Sequence, residues 1–437
     1  MFLNCHSYHS LRYGTISVEE LVRSAAQCGV TALALTDINT VTGIYEFYRS
    51  CNASGIKPLV GIEFRNGGSC QFIGLAKNAD GVAEMNRFLT GHNFKKSEIP
   101  ATPSGFENTF VVYPVTNIPD CLADDEYVGI RPDQLYQLFR PELRKLISKM
   151  VMFHSVTLTS PEDIDLHRIL RAIDGNKLLS MLRDEDCCGA DEVLFSQTEL
   201  EGRYCEYPQI VANTRRLVSE CNYVFDFSEP KNKKYYMGSR ESDIRLLTSL
   251  AMKGLDWRYG ADSTEARARV EKELAVIDQL EFSGYFLITW DIVQYSTRRG
   301  FIHIGRGSGA NSIIAYCLGI TDICPLELDL YFERFLNVNR KSPPDFDIDW
   351  SWKERDEILT YIFTKYGRDH VAFTGTNVEF KYRSIMREVG KVFGLPKAEI
   401  DFLANNPMDI HDGNPVVKDI HRFGRMLEKF PNQRSMH

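Results

Sequence analysis

Residues 301–319 read FIHIGRGSGANSIIAYCLG, which is an apolar run, a glycine-rich turn and a second apolar run. The pattern predicts a strand, a tight turn and a helix, with Gly319 just beyond the C-terminal end of the helix. Glycines let backbone N–H groups approach a phosphate closely, and the N-terminus of a helix supplies unsatisfied donors. Arg306 and Ser308 can add side-chain donors to the same ligand. The stretch therefore predicts an anion-binding turn between a strand and a helix.

Two common phosphate-binding motifs can be compared with this turn. It contains no lysine, which excludes a Walker P-loop. Gly305, Gly307 and Ala310 satisfy the dinucleotide fingerprint G-x-G-x-x-A. The following segment, ITDICPLELDLYFERF at residues 320–335, lacks the apolar strand ending in an acid that a Rossmann unit requires. A purely structural turn and a phosphate-binding turn of another kind both remain open.

Residues 342–350 read SPPDFDIDW, in which acidic and large apolar residues alternate. A period of two predicts a strand with Asp345, Asp347 and Asp349 on one face. Crowded carboxylates repel one another unless a cation neutralises them, and Mg²⁺ prefers carboxylate oxygens and substrate phosphates. An exposed strand with one polar face is the alternative. Together, a phosphate-binding turn and an aspartate pair supply what nucleotidyl transfer from a triphosphate requires.

The first 160 residues alternate short apolar runs with amphipathic stretches. Residues 1–65 predict the order βαβαβ, and further strands are expected at QFIGLAK, TFVVYPV, EYVGIR and KMVMFHSVTL. A total of about seven or eight strands favours an α/β barrel over an open sheet. A helix-rich stretch follows, and Pro230 with its neighbouring lysines marks a boundary. Residues 241–282 are predicted to be helical, as is the chain from residue 377 onward.

The composition is that of a globular protein. Of the 437 residues, 43% are apolar and 25% are charged, which excludes collagen-like, coiled-coil and wholly disordered classes. No apolar run is long enough to span a membrane and no secretory signal is recognisable, so we expect a cytoplasmic protein. The 11 cysteines include no C-x-x-C pair, which argues against a zinc ribbon or a disulfide framework. The net charge of −8 neither supports nor excludes a nucleic-acid partner, because such a partner needs only a local positive surface.

Five motifs stand in order between Gly284 and Val371: GYFLITWDIVQYS, GRGSGANS, AYCLGITDICPLELDLYFERFLN, PPDFDIDW and YGRDHVAF. They closely resemble the palm of the bacterial DNA polymerase III alpha subunit, of the C family of replicative polymerases. Nearer the N-terminus, FLNCHSYHSLRYGT, ALALTDINTVTG and GIKPLVGIEF resemble the PHP (polymerase and histidinol phosphatase) domain of the same subunit. The resemblance implies an α/β fold in three parts. These are a PHP-type (β/α) barrel at 1–229, a palm like that of the polymerase-beta nucleotidyltransferases with a helical lead-in at 230–376, and the start of a helical thumb at 377–437.

The resemblance also implies an activity and a metal. Asp345 and Asp347 match the first two catalytic carboxylates, which hold magnesium ions, whereas Asp349 matches a third acid that is not usually given a catalytic role. The implied reaction is two-metal transfer of a nucleotide from a deoxynucleoside triphosphate (dNTP) to a primer 3′-hydroxyl. The implied partners are primer-template DNA, dNTPs, a sliding clamp and an exonuclease subunit.

Further positions match residues that bind the nucleotide or the DNA. The turn that faces the incoming triphosphate corresponds to Arg306, Gly307 and Ser308. Arg334 matches an arginine near those phosphates, or else pairs with a neighbouring acid. The basic residues at the start of the expected thumb are Lys381, Arg383 and Arg387. They either contact duplex backbone or form an ordinary exposed helix face.

One part of the family pattern is missing from the sequence. The third catalytic aspartate of the family lies in a later strand, usually F-D-x-L-G, and no such segment occurs between residues 351 and 437. The fingers, the clamp-binding segment and the OB-type domain are not recognisable either. We therefore expect a truncated polypeptide that lacks polymerase activity by itself. Template-directed nucleotide incorporation by the pure chain would refute this expectation.

A PHP domain of this type can bind three metals and hydrolyse phosphoesters, but several ligand positions are altered in this sequence. The altered positions are Asn4, Tyr13, Ile38 and residues 155–157, Ser-Val-Thr. His6, Asp37 and Glu63 retain ligand chemistry, either for one weakly bound ion or as satisfied polar residues. A stand-alone PHP phosphoesterase and a non-catalytic DNA-binding scaffold are the alternatives to the polymerase. The altered ligands oppose the first, and the intact palm motifs oppose the second.

Overall fold

A computed structural model describes residues 1–228, 232–340, 344–406 and 414–436. The chain divides into two compact units, Met1–Phe225 together with Gly375–His437, and Asp226–Thr374. The boundary that the sequence predicts at Pro230 lies outside the described residues. The predicted functional domains at 1–229, 230–376 and 377–437 stay predictions, because a division by contacts assigns no function to either unit.

The regular elements follow one another in an order that mixes strands and helices. The strands are β1 (Asn4–Cys5), β2 (Ala32–Leu35), β3 (Lys57–Asn66), β4 (Ser69–Ala76), β5 (Thr109–Pro114), β6 (Glu126–Ile130), β7 (Met150–Met152), β8 (Ser155–Val156), β9 (His303–Arg306), β10 (Asp347–Trp350), β11 (Gly375–Glu379) and β12 (Pro431–Met436). The α-helices are α1 (Val18–Gln27), α2 (Ile44–Ala53), α3 (Ala79–Lys95), α4 (Pro141–Arg144), α5 (Ile164–Asp174), α6 (Gln197–Gly202), α7 (Pro208–Glu220), α8 (Arg240–Tyr259), α9 (Thr264–Gln279), α10 (Ser283–Arg298), α11 (Ile313–Cys317), α12 (Arg355–Tyr366), α13 (Tyr382–Val392), α14 (Lys397–Asn405) and α15 (Pro415–Leu427). Short 3₁₀ helices lie at Pro132–Phe139, Ile147–Lys149, Pro161–Asp163, Leu179–Met181, Asp184–Asp186, Gly307–Asn311 and Phe332–Arg334.

The N-terminal strands form a curled sheet. Strands β2 to β7 pair in chain order, and β1 pairs in parallel with β8. An isolated bridge between Phe2, which precedes β1, and Leu33 of β2 links the two sheets, and together they form a curled half-barrel. The predicted α/β class and barrel-type N-terminal sheet are confirmed.

The sheet is mixed rather than wholly parallel. Strand β3 pairs in parallel with β2 but antiparallel with β4, and β4 is antiparallel with β5. The reversal between β3 and β4 takes only Gly67 and Gly68, and Gly67 has a φ of +56°. A connection this short permits only a hairpin, whereas parallel neighbours need a crossover of a dozen residues or more.

Crossover helices cover this sheet through one apolar stripe each. In α1, Val18, Leu21, Val22 and Ala25 are buried at helical spacing. The helix starts at Ser17, whose side chain accepts a hydrogen bond from the backbone N–H of Glu20 at 3.2 Å. A cap of this kind satisfies a donor that has no partner inside the helix.

The C-terminal part of the first unit is helical and shares a core with α5. Buried residues of α5, such as Ile169 and Ile173, belong to the same apolar cluster as Met386 of α13 and Ile420 of α15. Strands β11 and β12 pair antiparallel beside these helices. The helical prediction from residue 377 onward is confirmed for α13, α14 and α15. It is wrong at both ends of the described segment, where β11 extends to Glu379 and β12 covers Pro431–Met436.

The second unit packs helices α8 to α11 around an apolar core. Leu247, Val270, Phe286 and Ile313 come from four different helices and are completely buried. The helical prediction for residues 241–282 is confirmed by α8 and α9. Beside this core lie β9 and β10, which form an antiparallel pair.

Two negative findings concern the whole described chain. Among the helices of the described ranges, none has both the length and the apolar character that a membrane span requires. All eleven cysteines fall within the described residues and are free.

Candidate nucleotide and metal site

Strands β9 and β10 bring the glycine turn and the aspartate strand together. In their antiparallel register, Asp347 lies opposite Arg306 and Asp349 lies opposite Ile304. The turn at Gly307–Asn311 follows β9 directly, and Asp345 precedes β10 by two residues. The two motifs that the sequence singles out are therefore neighbours in one two-stranded sheet.

The aspartates share the exposed face of β10. The side chains of Asp347 and Asp349 are 50% and 56% exposed, and Asp345 is exposed as well. Phe346, Ile348 and Trp350 are partly buried and pack against the core of the second unit. The alternation predicted from the sequence is confirmed for these residues, and it directs the carboxylates into solvent.

The apolar face of this strand is fixed to α10. The ring of Phe346 stacks on Tyr285 with centroids 5.6 Å apart and meets Phe286 edge-on at 5.1 Å. At the other end of the strand, Trp350 Nε1 donates a hydrogen bond of 2.7 Å to Ser296 Oγ. These contacts set the position of the backbone that carries the aspartates.

Gly307 is required where the turn meets the aspartate strand. Its φ is +71°, a conformation that other residues adopt only with strain. A Cβ at this position would lie 2.5 Å from Asp347 Oδ2, and a Cβ at Gly309 would lie 2.8 Å from the ring of Phe346. The glycines therefore allow a close approach of the turn to the aspartate strand.

Arg306 pairs with the acids opposite it. Its Nε donates to Asp349 Oδ2 at 2.7 Å, and its Nη1 lies 3.6 Å from Asp347 Oδ2. The arginine side chain is 57% exposed. Arg306 thus faces the aspartates, although the sequence predicts that it binds the nucleotide.

The helix after the turn differs from the prediction. The turn is a 3₁₀ helix at Gly307–Asn311, and α11 begins only at Ile313. The side chain of Ser312 caps α11 and donates a hydrogen bond of 2.8 Å to Glu273 Oε2. Glu273 is buried and also accepts a hydrogen bond from Arg269 Nε at 2.7 Å.

The expectation that a helix N-terminus offers free donors to a phosphate is therefore wrong for α11. The carboxylate of Glu273 already lies at that N-terminus. There its negative charge interacts favourably with the positive end of the helix dipole. Burial raises the pKa of Glu273, and hydrogen bonds from Arg269 and Ser312 oppose that rise. Glu273 comes from α9, so no local pattern around the glycine turn could reveal it. The N-terminus of α11 is therefore not a free phosphate-binding site.

Two further predicted nucleotide-binding residues belong to the same unit. Ser308 lies within the turn and is partly buried. Arg334 ends the 3₁₀ helix Phe332–Arg334, is exposed, and forms no ion pair with any residue in the described part of the chain. Pairing with a neighbouring acid, which the sequence left open for Arg334, is thus not seen among those residues.

Asp345 and Asp347 have the donor chemistry that Mg²⁺ prefers. Both are exposed carboxylates at the tip of one strand, and a hard cation takes such oxygens together with water. In the described ranges, no group of three or more His, Cys, Asp or Glu side chains is arranged to hold a metal ion. The pair therefore fits a cation that completes its coordination with water or substrate oxygens.

The basic residues predicted for DNA binding lie at α13 in the first unit. Lys381 Nζ pairs with Glu379 at 2.9 Å, and Arg387 lies 3.9 Å from Asp401. Arg383 donates to the side chain of Asn405 at 2.7 Å. All three are exposed, and surface pairs of this kind are weak. Their assignment to DNA contact stays a prediction.

A second polar cluster lies inside the half-barrel, at the positions that correspond to PHP metal ligands. Glu63 is buried and accepts hydrogen bonds from His6 Nε2 at 2.8 Å and from Asn4 Nδ2 at 3.0 Å. Its other oxygen forms an ion pair with Arg65 Nε. Burial alone would raise the pKa of Glu63, but the Arg65 guanidinium and His6 outweigh it and hold that pKa well below its ordinary value.

Asp37 is enclosed by donors from the loop after β1. Its Oδ1 accepts from the backbone N–H of Ser7 and from Ser10 Oγ, each at 2.7 Å, and its Oδ2 accepts from Ser7 Oγ at 2.7 Å. Burial raises the pKa of Asp37, and the hydrogen bonds from Ser10 and Ser7 act against that rise. Both oxygens of this retained ligand-type residue are thus already bonded.

The altered positions complete this network. Thr157 Oγ1 donates to Glu192 at 2.6 Å and lies 2.9 Å from His6 Nδ1. Arg65, two residues after Glu63, supplies the positive charge that a metal would otherwise bring. A ligand search that looks only for histidines and acids does not find Arg65, although the E-x-R spacing on β3 is visible in the sequence. Among the described residues, this cluster does not fit a metal ion.

Comparison with known proteins places two family matches on the chain. The PHP domain family matches residues 3–104, and the family described as the bacterial DNA polymerase III alpha NTPase domain matches residues 245–437. The chain is thus of the class that joins a PHP domain to a polymerase domain. It contains a PHP domain and a bacterial DNA polymerase III alpha NTPase domain, and its relatives are named DNA polymerase III subunit alpha and error-prone DNA polymerase.

Individual relatives resemble most of the chain. An error-prone DNA polymerase of Symbiobacterium thermophilum is 30% identical over 92% of this chain and 42% of its own length. The DNA polymerase III alpha subunits of Bacillus subtilis and Halalkalibacterium halodurans are 30% and 29% identical over 92% and 91% of this chain, and 39% of their own length. The chain therefore spans about two fifths of these relatives.

Proposed function

We propose that the chain forms the PHP domain and the nucleotide-binding part of a DNA-directed DNA polymerase. In the proposed reaction, a primer 3′-hydroxyl attacks the alpha-phosphate of a dNTP. The observation that supports this most strongly is the approach of Gly307 to Asp347, which leaves no room for a Cβ between the turn and the carboxylate. A phosphate held by the turn would thus lie beside the acids.

Each residue of the site has a proposed role. Asp345 and Asp347 would hold Mg²⁺, which in this chemistry neutralises charge that develops on the phosphate and the leaving oxygen. Gly307 and Ser308 would hold the triphosphate through backbone N–H and hydroxyl donors. Arg334, exposed and without an ion pair among the described residues, would add a guanidinium to the same phosphates.

The proposed partners follow from the same function. Primer-template DNA would contact the exposed basic residues of α13. A sliding clamp and an exonuclease subunit would bind the whole protein. The whole protein would act in the cytoplasm. The half-barrel would serve as metal-free support, because Arg65 already neutralises Glu63. The same ion pair opposes a PHP phosphoesterase that depends on metals at these residues.

Binding of Mn²⁺, which substitutes for Mg²⁺ and gives an electron paramagnetic resonance signal, tests the proposal. Titration of the chain should show a site whose affinity falls about tenfold or more in Asp345→Asn and in Asp347→Asn. Asp356→Asn removes an equally exposed carboxylate from the start of α12 and should leave the affinity unchanged. Equal Mn²⁺ binding by the wild-type chain and both site variants would contradict the proposal.

A further inference from the structure

Asp349 and Arg306 form a pair for which the proposed reaction has no need. Asp349 is the third acid on the exposed face of β10, and its carboxylate accepts the shortest contact that Arg306 makes, 2.7 Å from Nε. The more distant Nη1 lies 3.6 Å from Asp347 Oδ2. One arginine is therefore shared between a proposed metal ligand and an acid that is not one.

The sharing has an electrostatic consequence for Asp347. A guanidinium close to Asp347 competes with any cation that the same carboxylate would bind. Asp349 draws that guanidinium toward the far end of the strand, because the Nε contact is the shorter of the two. Without Asp349, the nearest remaining carboxylate for Arg306 within this sheet is Asp347 itself.

We infer that Asp349 is a positioning residue, which holds the Arg306 side chain away from Asp347 and so keeps that carboxylate available to a divalent cation. The inference rests on the proposed function, since it takes Asp345 and Asp347 as the metal ligands. It gives the third acid of the strand a role that does not require contact with the metal. In this state Arg306 keeps only a longer contact of 3.6 Å with Asp347, which a cation bound to that carboxylate would replace.

A cycle of two substitutions measures this role through Mn²⁺ affinity at about 0.15 M salt, where long-range charge effects are screened. Arg306→Gln should tighten binding, because it removes the competing charge. Asp349→Asn should weaken binding in the wild-type chain about two- to fivefold more than it does in the Arg306→Gln background. The excess appears because Arg306 moves onto Asp347 only when Asp349 cannot hold it. Circular dichroism and melting curves of all variants show whether they are folded.

Comparing the effect of Asp349→Asn in the wild-type and Arg306→Gln backgrounds distinguishes the positioning role from two alternatives. A through-space loss of negative charge would weaken Mn²⁺ binding equally in both backgrounds and would overturn the inference. Direct ligation by Asp349 would make Asp349→Asn more harmful in the Arg306→Gln background and would overturn it as well. If Asp345→Asn and Asp347→Asn leave Mn²⁺ binding unchanged, the proposed metal site itself is refuted. The same holds if neither the wild-type nor the Arg306→Gln chain binds Mn²⁺. Loss of the coupling alone, with binding still dependent on Asp345 and Asp347, refutes only the role of Asp349.

Discussion

Gly307 is the residue at which the phosphate turn and the aspartate strand come closest. Gly307→Ala combines a strained φ with a Cβ only 2.5 Å from Asp347 Oδ2. We expect the variant to lose about 1 kcal/mol or more of stability and to bind Mn²⁺ more weakly, because Asp347 has to move. Thermal unfolding and Mn²⁺ titration measure the two effects.

Gly300 provides a matched control for that substitution. Its φ is +74°, yet a Cβ there would meet nothing within 4 Å. Gly300→Ala should therefore reproduce the backbone strain without the change in Mn²⁺ affinity. If both alanine variants bind Mn²⁺ as the wild-type chain does, the close approach of turn and acid has no functional role.

Arg65 is the second residue on which a specific prediction rests. Arg65→Met would leave the buried carboxylate of Glu63 without its cation, and we expect a loss of about 3–5 kcal/mol at neutral pH. Adding Glu63→Gln to that variant should recover a large part of the loss. Chemical denaturation measures both changes, with and without a metal chelator. A chelator that destabilises the wild-type half-barrel would contradict the metal-free interpretation.

The same pair sets a pH dependence. The pKa of Glu63 lies below its unfolded value of about 4.3, so the pair stabilises the folded chain above that pH. This stabilisation is lost as the pH falls toward the folded pKa. Arg65→Met should therefore narrow the difference in stability between neutral and acid conditions.

At the scale of elements, the position of β10 depends on its attachment to α10. Trp350→Phe keeps the apolar contact but removes the hydrogen bond to Ser296 Oγ, and should cost about 0.5–1.5 kcal/mol. Ser296→Ala should cost a similar amount, and the double variant should cost less than the sum of the two. Strictly additive losses would show that the hydrogen bond does not couple strand and helix.

Sequence patterns predict these elements unequally well. The period of two in DFDIDW and the glycine turn identify β10 and β9, because both signals are local. The antiparallel pairing of β3 with β4 is not among the predictions, although the glycines of its hairpin, Gly67 and Gly68, are visible in the sequence. The contact of Glu273 with the N-terminus of α11 could not be predicted, since the acid lies on another helix about forty residues earlier. The ion pair of Arg65 with Glu63 depends on burial, which no motif records.

At the scale of the whole molecule, the basic residues of α13 decide whether the chain contacts duplex DNA. Replacing Lys381, Arg383 and Arg387 together with glutamine should weaken binding to a primer-template duplex. The dependence of log affinity on log salt should fall by about 3 if all three contact phosphates. A triple glutamine variant of Arg140, Arg144 and Lys145, which are equally exposed, serves as the control. An unchanged salt dependence would leave α13 as an ordinary surface helix.

The family was recognisable from the sequence because its palm motifs are contiguous and ordered. The packing of the segment from Gly375 against α5, about two hundred residues earlier, could not be predicted from the sequence. Long-range packing of this kind leaves only an amphipathic pattern in the sequence. Such a pattern indicates that one face of a helix is buried, but not which element it packs against.

Anomalous diffraction from crystals of the chain soaked with Mn²⁺ and a non-hydrolysable dNTP tests the central proposal most directly. We predict a manganese peak about 2 Å from carboxylate oxygens of Asp345 and Asp347, with the triphosphate against Gly307 and Ser308. A peak bound elsewhere, or a nucleotide seated away from the turn while the aspartates stay unliganded, would contradict it.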